Sequence, residues 1–259
     1  LLKSKNIGIV DKKPLISLVV PVYMEEKILD QALDSYPKSL RDKYSVELIV
    51  SDGGSTDRTL EIADSKADKV ARHLEDRRQT IAEGRNAGAN LASGDVLVFI
   101  NGDCRPENPE LFLKTIYDWA VGANSKYSKS GALASRVYVP KDEEIFGDKI
   151  FYNSFNAYVR FLNIIGLGMC RGECQIAKTA LFKKIGGYNS KLAAGEDFDL
   201  FNRLAKITKT TYVSEITVLE SPRRFRKYGY AKVLWQWTKN GVKVLFKGEA
   251  SDSEWETVR

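Results

Sequence analysis

Histidine is almost missing from this sequence: His73 stands alone among 259 residues, which leaves a histidine-based catalytic triad or a histidine-rich metal site without material. Three cysteines, Cys104, Cys170 and Cys174, are too few for a disulfide scaffold, and a reducing compartment is expected. Cys170 and Cys174 stand four apart, but a zinc tetrad built on them would need carboxylates to complete it, so structural zinc is not expected. Seven prolines and 19 glycines exclude collagenous and proline-rich chains. No apolar run approaches the roughly 20 residues that span a bilayer; Ile16 to Val22 is already broken by Ser17 and Pro21. No signal-peptide pattern opens the sequence, and a cytoplasmic location is expected. Also absent are the glycine-lysine-serine or threonine phosphate loop and the three-glycine dinucleotide fingerprint, which counts against kinases, P-loop ATPases and nicotinamide dehydrogenases.

What is present is 43% apolar and 29% charged, enough for a large core, and no linker or internal repeat divides residues 1–259, so one compact domain is expected. The net charge of +6 suits an anionic partner such as a nucleotide or a phosphate-bearing lipid. Nucleic acid is not expected, because no helix-turn-helix, zinc-finger or aromatic RNA-binding signature accompanies the charge. The basic residues gather at Arg223, Arg224, Arg226 and Lys227, then spread as Lys232, Lys239, Lys243 and Lys247 among Trp235, Trp237, Leu245 and Phe246.

Strands are expected at Leu15 to Val20, Val46 to Val50, around Val70 and at Val96 to Ile100, alternating with helices over Ile28 to Leu40, Thr59 to Ser65 and Thr80 to Leu91. Four such alternations in about 100 residues imply an α/β fold with a mostly parallel sheet. Beyond it the pattern predicts helices at Glu107 to Ala120, Asp148 to Ile165 and Glu196 to Ile207. Strands are predicted at Gly131 to Val139 and, as an edge, Thr211 to Val218. Ligands of such sheets bind beyond the carboxyl ends of the strands. Three acidic or amide-bearing loops fall at candidate ends: Asp52, Asn101 to Asp103, and Glu196-Asp197. Asp103 could ligate a hard cation or cap the following helix, and Gly102 would let backbone approach a ligand. Asp52 is read as a contact to a base or ribose and Asp57 as a helix cap. Glu196 and Asp197 could serve proton transfer or simply favour the helix dipole.

Six segments together resemble the inverting nucleotide-sugar glycosyltransferases of family 2, with the GT-A fold. They are Val19-Val20-Pro21-Val22-Tyr23-Met24-Glu25-Glu26, Val50-Ser51-Asp52-Gly53-Gly54-Ser55-Thr56-Asp57 and Gly84-Arg85-Asn86-Ala87-Gly88. Phe99-Ile100-Asn101-Gly102-Asp103, Ile185-Gly186-Gly187-Tyr188 and Gly195-Glu196-Asp197-Phe198-Asp199-Leu200 complete the set. The resemblance implies that residues 13–105 bind the nucleotide-sugar, 106–220 bind the acceptor and carry catalysis, and 221–259 form a basic aromatic segment. Pro21, Tyr23 and Glu25 would line the nucleotide end, Asp52 would contact the base, and Arg85 would lie near the phosphates or hold the site loops. Asp103 would bind a divalent Mg2+ or Mn2+ ion on the diphosphate, with Asn101 and Gly102 beside it. Asp197 would be the base that deprotonates the acceptor, Glu196 would sit near either sugar, and Arg223 and Arg224 would cover the diphosphate and acceptor.

Two positions depart from the family pattern: Asn101 replaces the first acid of the aspartate-any-aspartate metal motif, and Gly53 stands where relatives are often acidic. The glutamine-arginine-tryptophan signature of processive synthases is missing, so a single, non-processive transfer from a UDP- or GDP-sugar to a hydroxyl or lipid phosphate is expected. A sugar-1-phosphate nucleotidyltransferase and a non-catalytic nucleotide-sugar-binding protein are the alternatives. The apolar residues Phe151, Phe155, Tyr158, Phe161, Leu162, Ile164, Ile165, Leu167 and Met169 either bury one helix or make a ledge for a lipid phosphate. In the second case the basic tail would touch anionic headgroups, placing the protein at the inner face of a membrane. Donor, acceptor and oligomeric state are left open by the sequence.

Overall fold

The computed structural model describes residues 15–192 and 194–237. Lys239, Lys243, Leu245, Phe246 and Lys247 of the basic tail lie outside the described residues. The first strand, β1 (Ile16–Val22), is buried throughout and lies between β2 (Val46–Asp52) and β4 (Val96–Ile100), parallel to both. The short β3 (Lys69–Arg72) extends this parallel half from β2. On the other side of β4 the sheet reverses: β7 (Cys174–Lys178) runs antiparallel to β4 and to β6 (Ser130–Tyr138). Next, β8 (Lys209–Glu220) is parallel to β6, and the three-residue β5 (Cys104–Pro106) closes the order β3-β2-β1-β4-β7-β6-β8-β5.

Strand alternation sorts the core onto two faces. Ile16, Leu18, Val20 and Val22 of β1 meet Leu29 and Leu33 of α1 (Leu29–Asp34), Ala63 of α3 (Thr59–Lys66) and Phe112, Leu113, Ile116 and Trp119 of α5 (Pro109–Ala120). Val19, Leu97 and Phe99 face the opposite way. They pack on Ala82 and Ala89 of α4 (Ile81–Leu91), Phe182 of α7 (Thr179–Lys184) and Leu200, Phe201 and Leu204 of α8 (Glu196–Ala205). Phe99 contacts the rings of Phe182 and Tyr188 with centroids 5.3 and 5.0 Å apart. A third cluster joins Val137 and Val139 to Phe151 and Tyr152 of α6 (Phe146–Ile164), Phe225 of α9 (Arg223–Tyr228) and Val233 of the helical stretch 230–237.

Two expectations need correction, and two strands leave no mark in the sequence pattern. The helix over Ile28 to Leu40 is two helices, α1 and α2 (Lys38–Lys43), because Pro37 lacks the amide that would continue the first and instead opens the second. Pro21 does not end the first strand; it stays in register with Ser51 of β2, and the strand runs on to Val22. β8 is paired on its inner side with β6, and the three-residue β5 covers its outer side only at Val218 to Glu220, so most of the expected edge, Thr211 to Thr217, has no strand beyond it. Finally, β7 and β5 carry no period long enough to reveal them. The amphipathic α6 divides the aromatic set: Phe151 and Leu162 are buried, Phe155 and Met169 are partly buried, and Tyr158, Phe161, Ile164, Ile165 and Leu167 are exposed.

Candidate active site

The carboxyl ends of β1, β2 and β4 lie side by side, so their loops share one rim of the sheet. Val22 is paired with Asp52, its carbonyl accepts the Gly53 amide at 2.9 Å, and Gly102 lies against it. A Cβ on Gly102 would come within 2.8 Å of Val22 Cγ1, so the absence of a side chain there lets the Asn101 to Asp103 loop close on β1. Gly88 does the same for α4, where a Cβ would fall 2.3 Å from Val19 Cγ1.

Asp52 is buried at the tip of β2. Its Oδ2 accepts the amides of Gly54 and Ser55 at 3.0 and 2.9 Å, while its Oδ1 is buried with no partner among the described residues. A buried carboxylate oxygen left without a donor is costly unless a ligand supplies one. A cleft of about 400 Å³ opens beside it, lined by Asp52, Gly54, Ser55, Arg72, His73 and Glu75 among others. Asp57 Oδ1 accepts the Thr59 amide at 3.0 Å, at the start of α3. Pro21 is buried in β1, Tyr23 lies under the Arg78 guanidinium at 4.9 Å, and the Glu25 amide donates to Thr59 Oγ1 at 2.8 Å.

Arg85 is the hub. It is 1% exposed on α4, and Nη1 donates to Glu196 Oε1 at 2.7 Å. Nη2 donates to Asn101 Oδ1 at 3.0 Å and to the Gly172 carbonyl at 2.6 Å. One guanidinium thus fastens the loop after β4, the loop before β7 and the start of α8; these contacts are to protein groups, which makes Arg85 a holder of the site loops. They also give Asn101 a use that an aspartate would share only by adding a charge: its amide oxygen receives Arg85. The Asn101 backbone N–H in turn donates to the Glu173 carbonyl at 3.2 Å.

Asp197 and Glu196 open α8 after Gly195, whose φ of +79° lies in the left-handed region. Glu196 is buried against Arg85, whereas among the described residues Asp197 Oδ1 accepts the amide of its neighbour Phe198 at 2.8 Å. Oδ2 of Asp197 points toward Gly172, where a Cβ would sit 3.3 Å from it. Removal from water, then repulsion from Glu196, pushes the Asp197 carboxyl up to about 7 against the pull of Arg85. That value lies where a proton acceptor works best at neutral pH.

Sequence reasoning missed a second buried cluster beside this one. Arg171 is held in two bonds by Glu173, both at 3.1 Å, and also donates to Glu220; its guanidinium stacks on Tyr152, Phe155 and Trp237 at 5.0, 5.2 and 5.9 Å. Burial, partly offset by Arg171, pushes Glu220 well above the usual carboxylate range, while Arg171 helps hold Glu173 below it despite burial. The available signal was the charged triplet Arg171-Gly172-Glu173 inside an otherwise apolar stretch. Arg223 Nη2 lies 3.5 Å from Asp103 Oδ2, and burial lowers the Arg224 guanidinium, whose charged neighbours include Asp103, Glu173 and Glu220.

Asp103 presents a part-exposed carboxylate, with Oδ1 accepting from Cys104 Sγ at 3.4 Å. Among the described residues no group of three His, Cys, Asp or Glu is placed to enclose a metal ion. A cation such as Mg2+ takes one or two carboxylates and completes its shell with substrate phosphates and water. Asp103 therefore fits an ion shared with a diphosphate rather than one caged by protein.

The family model described as Glycosyl transferase family 2 matches residues 17–186, and the chain belongs to that family, with its GT-A fold. Glycosyltransferase AglE of Haloferax volcanii is 34% identical over 96 residues, 36% of this chain and 32% of that protein. A PGL/p-HBAD biosynthesis glycosyltransferase of Mycobacterium bovis is 25% identical over 213 residues, 77% of this chain and 75% of its own. The chain thus spans about a third of AglE. Among solved structures, mannosyltransferase PcManGT from Pyrobaculum calidifontis, in complex with GDP-Man and Mn2+, superposes with a TM-score of 0.65 at 19% identity, covering 93% of this chain and 66% of that one. Glucosyl-3-phosphoglycerate synthase from Mycobacterium tuberculosis, in complex with Mn2+, UDP and glucosyl-3-phosphoglycerate, gives 0.57 at 21% identity, covering 92% and 82%. These two likenesses bear on the fold.

Proposed function

We propose that the protein transfers a sugar from a nucleoside-diphosphate sugar, a UDP- or GDP-sugar, to an acceptor hydroxyl or lipid phosphate, in a single step with inversion at the anomeric carbon. The observation that carries this is the Arg85 hub, which ties the Asn101 to Asp103 loop to Glu196-Asp197 at the carboxyl rim of the sheet. In this reading Asp52 Oδ1 accepts a donor from the nucleobase, supported by its burial without a partner among the described residues. Pro21, Tyr23 and Glu25 border that end. Asp103 would hold a Mg2+ or Mn2+ ion, which would supply positive charge to a diphosphate. Arg223 and Arg224 add positive charge beside Asp103 that does not depend on a titrating proton. Asp197 takes the acceptor's proton as its oxygen attacks, and Glu196, neutralised by Arg85, stays a positioning residue.

The test is a donor screen on the purified chain, reading nucleoside diphosphate release from several sugar nucleotides with Mg2+ and with Mn2+, and the anomeric configuration of any product. Release with an inverted product is expected, and Asp103→Asn should weaken metal-dependent binding of the nucleoside diphosphate by more than about tenfold. A product that keeps the donor's configuration would refute the mechanism. Pyrophosphate release from a nucleoside triphosphate and a sugar phosphate would instead make this a nucleotidyltransferase. Tight metal-dependent nucleotide binding without hydrolysis or transfer would make it a binding protein.

A further inference from the structure

The outward face of α6 carries a row of large apolar side chains left exposed among the described residues. Phe146, Ile150, Ala157, Phe161 and Ile164 follow one another at steps of four, seven, four and three, which keeps them on one side of a helix. Phe146 is 77% and Ile164 70% exposed, and Tyr158, Ile165 and Leu167 widen the row at its carboxyl end. Leu234 and Trp235 of the stretch 230–237 are exposed as well, Trp235 by 70%. Exposed Asn153 interrupts the row between Ile150 and Ala157, so the apolar surface is densest at the carboxyl end, where Tyr158, Phe161, Ile164, Ile165 and Leu167 gather; isolated exposed apolar residues are ordinary, but such a cluster marks a surface that meets something.

The charges around the stripe say what. Between residues 149 and 167 the acidic and basic side chains are Lys149 and Arg160 alone, and both are exposed. Lys227 and Lys232, on the elements packed against α6, are exposed too. Exposed acids, Asp142 and Glu143, precede the helix, so the basic, acid-free part is its carboxyl two-thirds. Lys149 pairs with Glu144 at 3.4 Å, so the cation on the acid-free part of the helix is Arg160, with Lys227 and Lys232 exposed on the neighbouring elements, a charge that matches an anionic surface. The helix cannot cross a bilayer: Asn156 is bonded to both backbone groups of Val137, and Asp148 is buried against Arg226 and Tyr230. No helix among the described residues is long and apolar enough to span.

We propose that this face of α6 docks on an anionic bilayer surface, the helix lying in the plane of the interface with Phe161 and Ile164 entering the headgroup boundary and Arg160 among the lipid phosphates. Binding is read by co-sedimentation of the full chain with vesicles of phosphatidylcholine alone or mixed with phosphatidylglycerol, so it needs no sugar transfer and is judged apart from the proposed activity. The wild type pellets with the mixed vesicles and much less with the neutral ones. The double variant Phe161→Glu, Ile164→Glu loses more than about tenfold in partitioning with an unchanged melting temperature, since both side chains lie on the exposed face. Arg160→Glu loses about fivefold or more. The proposal is overturned if the wild type stays in the supernatant, if it pellets equally with both vesicle types, or if the double variant pellets like the wild type. A dimer that the double variant disrupts, in a protein indifferent to vesicles, assigns the face to a second copy and overturns it equally.

Discussion

Replacing Asp197 by Asn should make the protein more stable while disabling it. The carboxyl is displaced from 3.8 to about 7 in the fold, so the native state binds its proton more tightly than the unfolded chain does. Stability from that source is fully present below pH 4 and is lost as pH rises through 7. About three units at roughly 1.4 kcal/mol each bound the loss near 4 kcal/mol, and relaxation around Glu196 and Arg85 brings it to about 2–4 kcal/mol. Asparagine removes the charge and keeps an oxygen for the Phe198 amide, which Asp197 Oδ1 accepts at 2.8 Å. The variant should therefore melt several degrees above the wild type at pH 8 and together with it near pH 4, as followed by thermal unfolding across pH. Its transfer rate should fall by about 10²–10⁴ with donor binding kept, as expected for loss of a proton acceptor. A gap in melting temperature that does not change with pH, or a variant less stable at pH 8, would refute the assigned environment; turnover within tenfold of wild type would refute the assigned role.

Two further substitutions probe the scaffold of the site. Arg85→Met leaves Glu196 buried without its cation, and urea unfolding at pH 7 should show a loss of about 3–5 kcal/mol, partly restored by Glu196→Gln in the same chain; a loss below about 1 kcal/mol would contradict the hub. Glu83 closes the capping box of α4 with Thr80 and is held down to about 2, first by Arg77. Its stabilisation is present above pH 4.5 and fades as pH falls toward 2. Because Arg77 is half-exposed, solvent screening limits the effect to about 1–2 kcal/mol. Glu83→Gln should therefore be less stable than wild type at pH 7 and equal to it near pH 2, and a constant difference across that range would show that the ion pair contributes nothing.

The parallel half of the fold was legible because its central strands carry short, buried, largely apolar runs, Val96–Ile100 above all, separated by helical periods, whereas the half-exposed β3 shows only Val70 and Ala71 between charged ends. The reversal at β7 was not legible. Cys174–Lys178 mixes a buried Gln175 into a five-residue strand, and that polar side chain is explained only by folded contacts, Nε2 donating to the Arg171 carbonyl and Oε1 accepting from Tyr188 at 2.6 Å. At the site, Asp52 and Asp103 were visible at or just beyond strand ends and Asp197 at a helix start after Gly195; the expectation that Glu196-Asp197 also lies at a strand end is corrected, since helix α7 precedes that loop. What holds them was not visible. Arg85 reaches Glu196 across 111 positions, and Arg171 gathers Glu220 from 49 positions away; such pairings leave no periodic trace.

Arg85 spans the two halves of the chain, one nitrogen on Asn101 and the other on Glu196. Under the proposed function, a displacement of the first loop on nucleotide capture would be felt at the start of α8, which would link the affinities for donor and acceptor. Such linkage works by the same factor in both directions. An acceptor that binds better after the nucleotide must also slow the nucleotide's escape or speed its capture, and loosening the guanidinium would weaken both effects together.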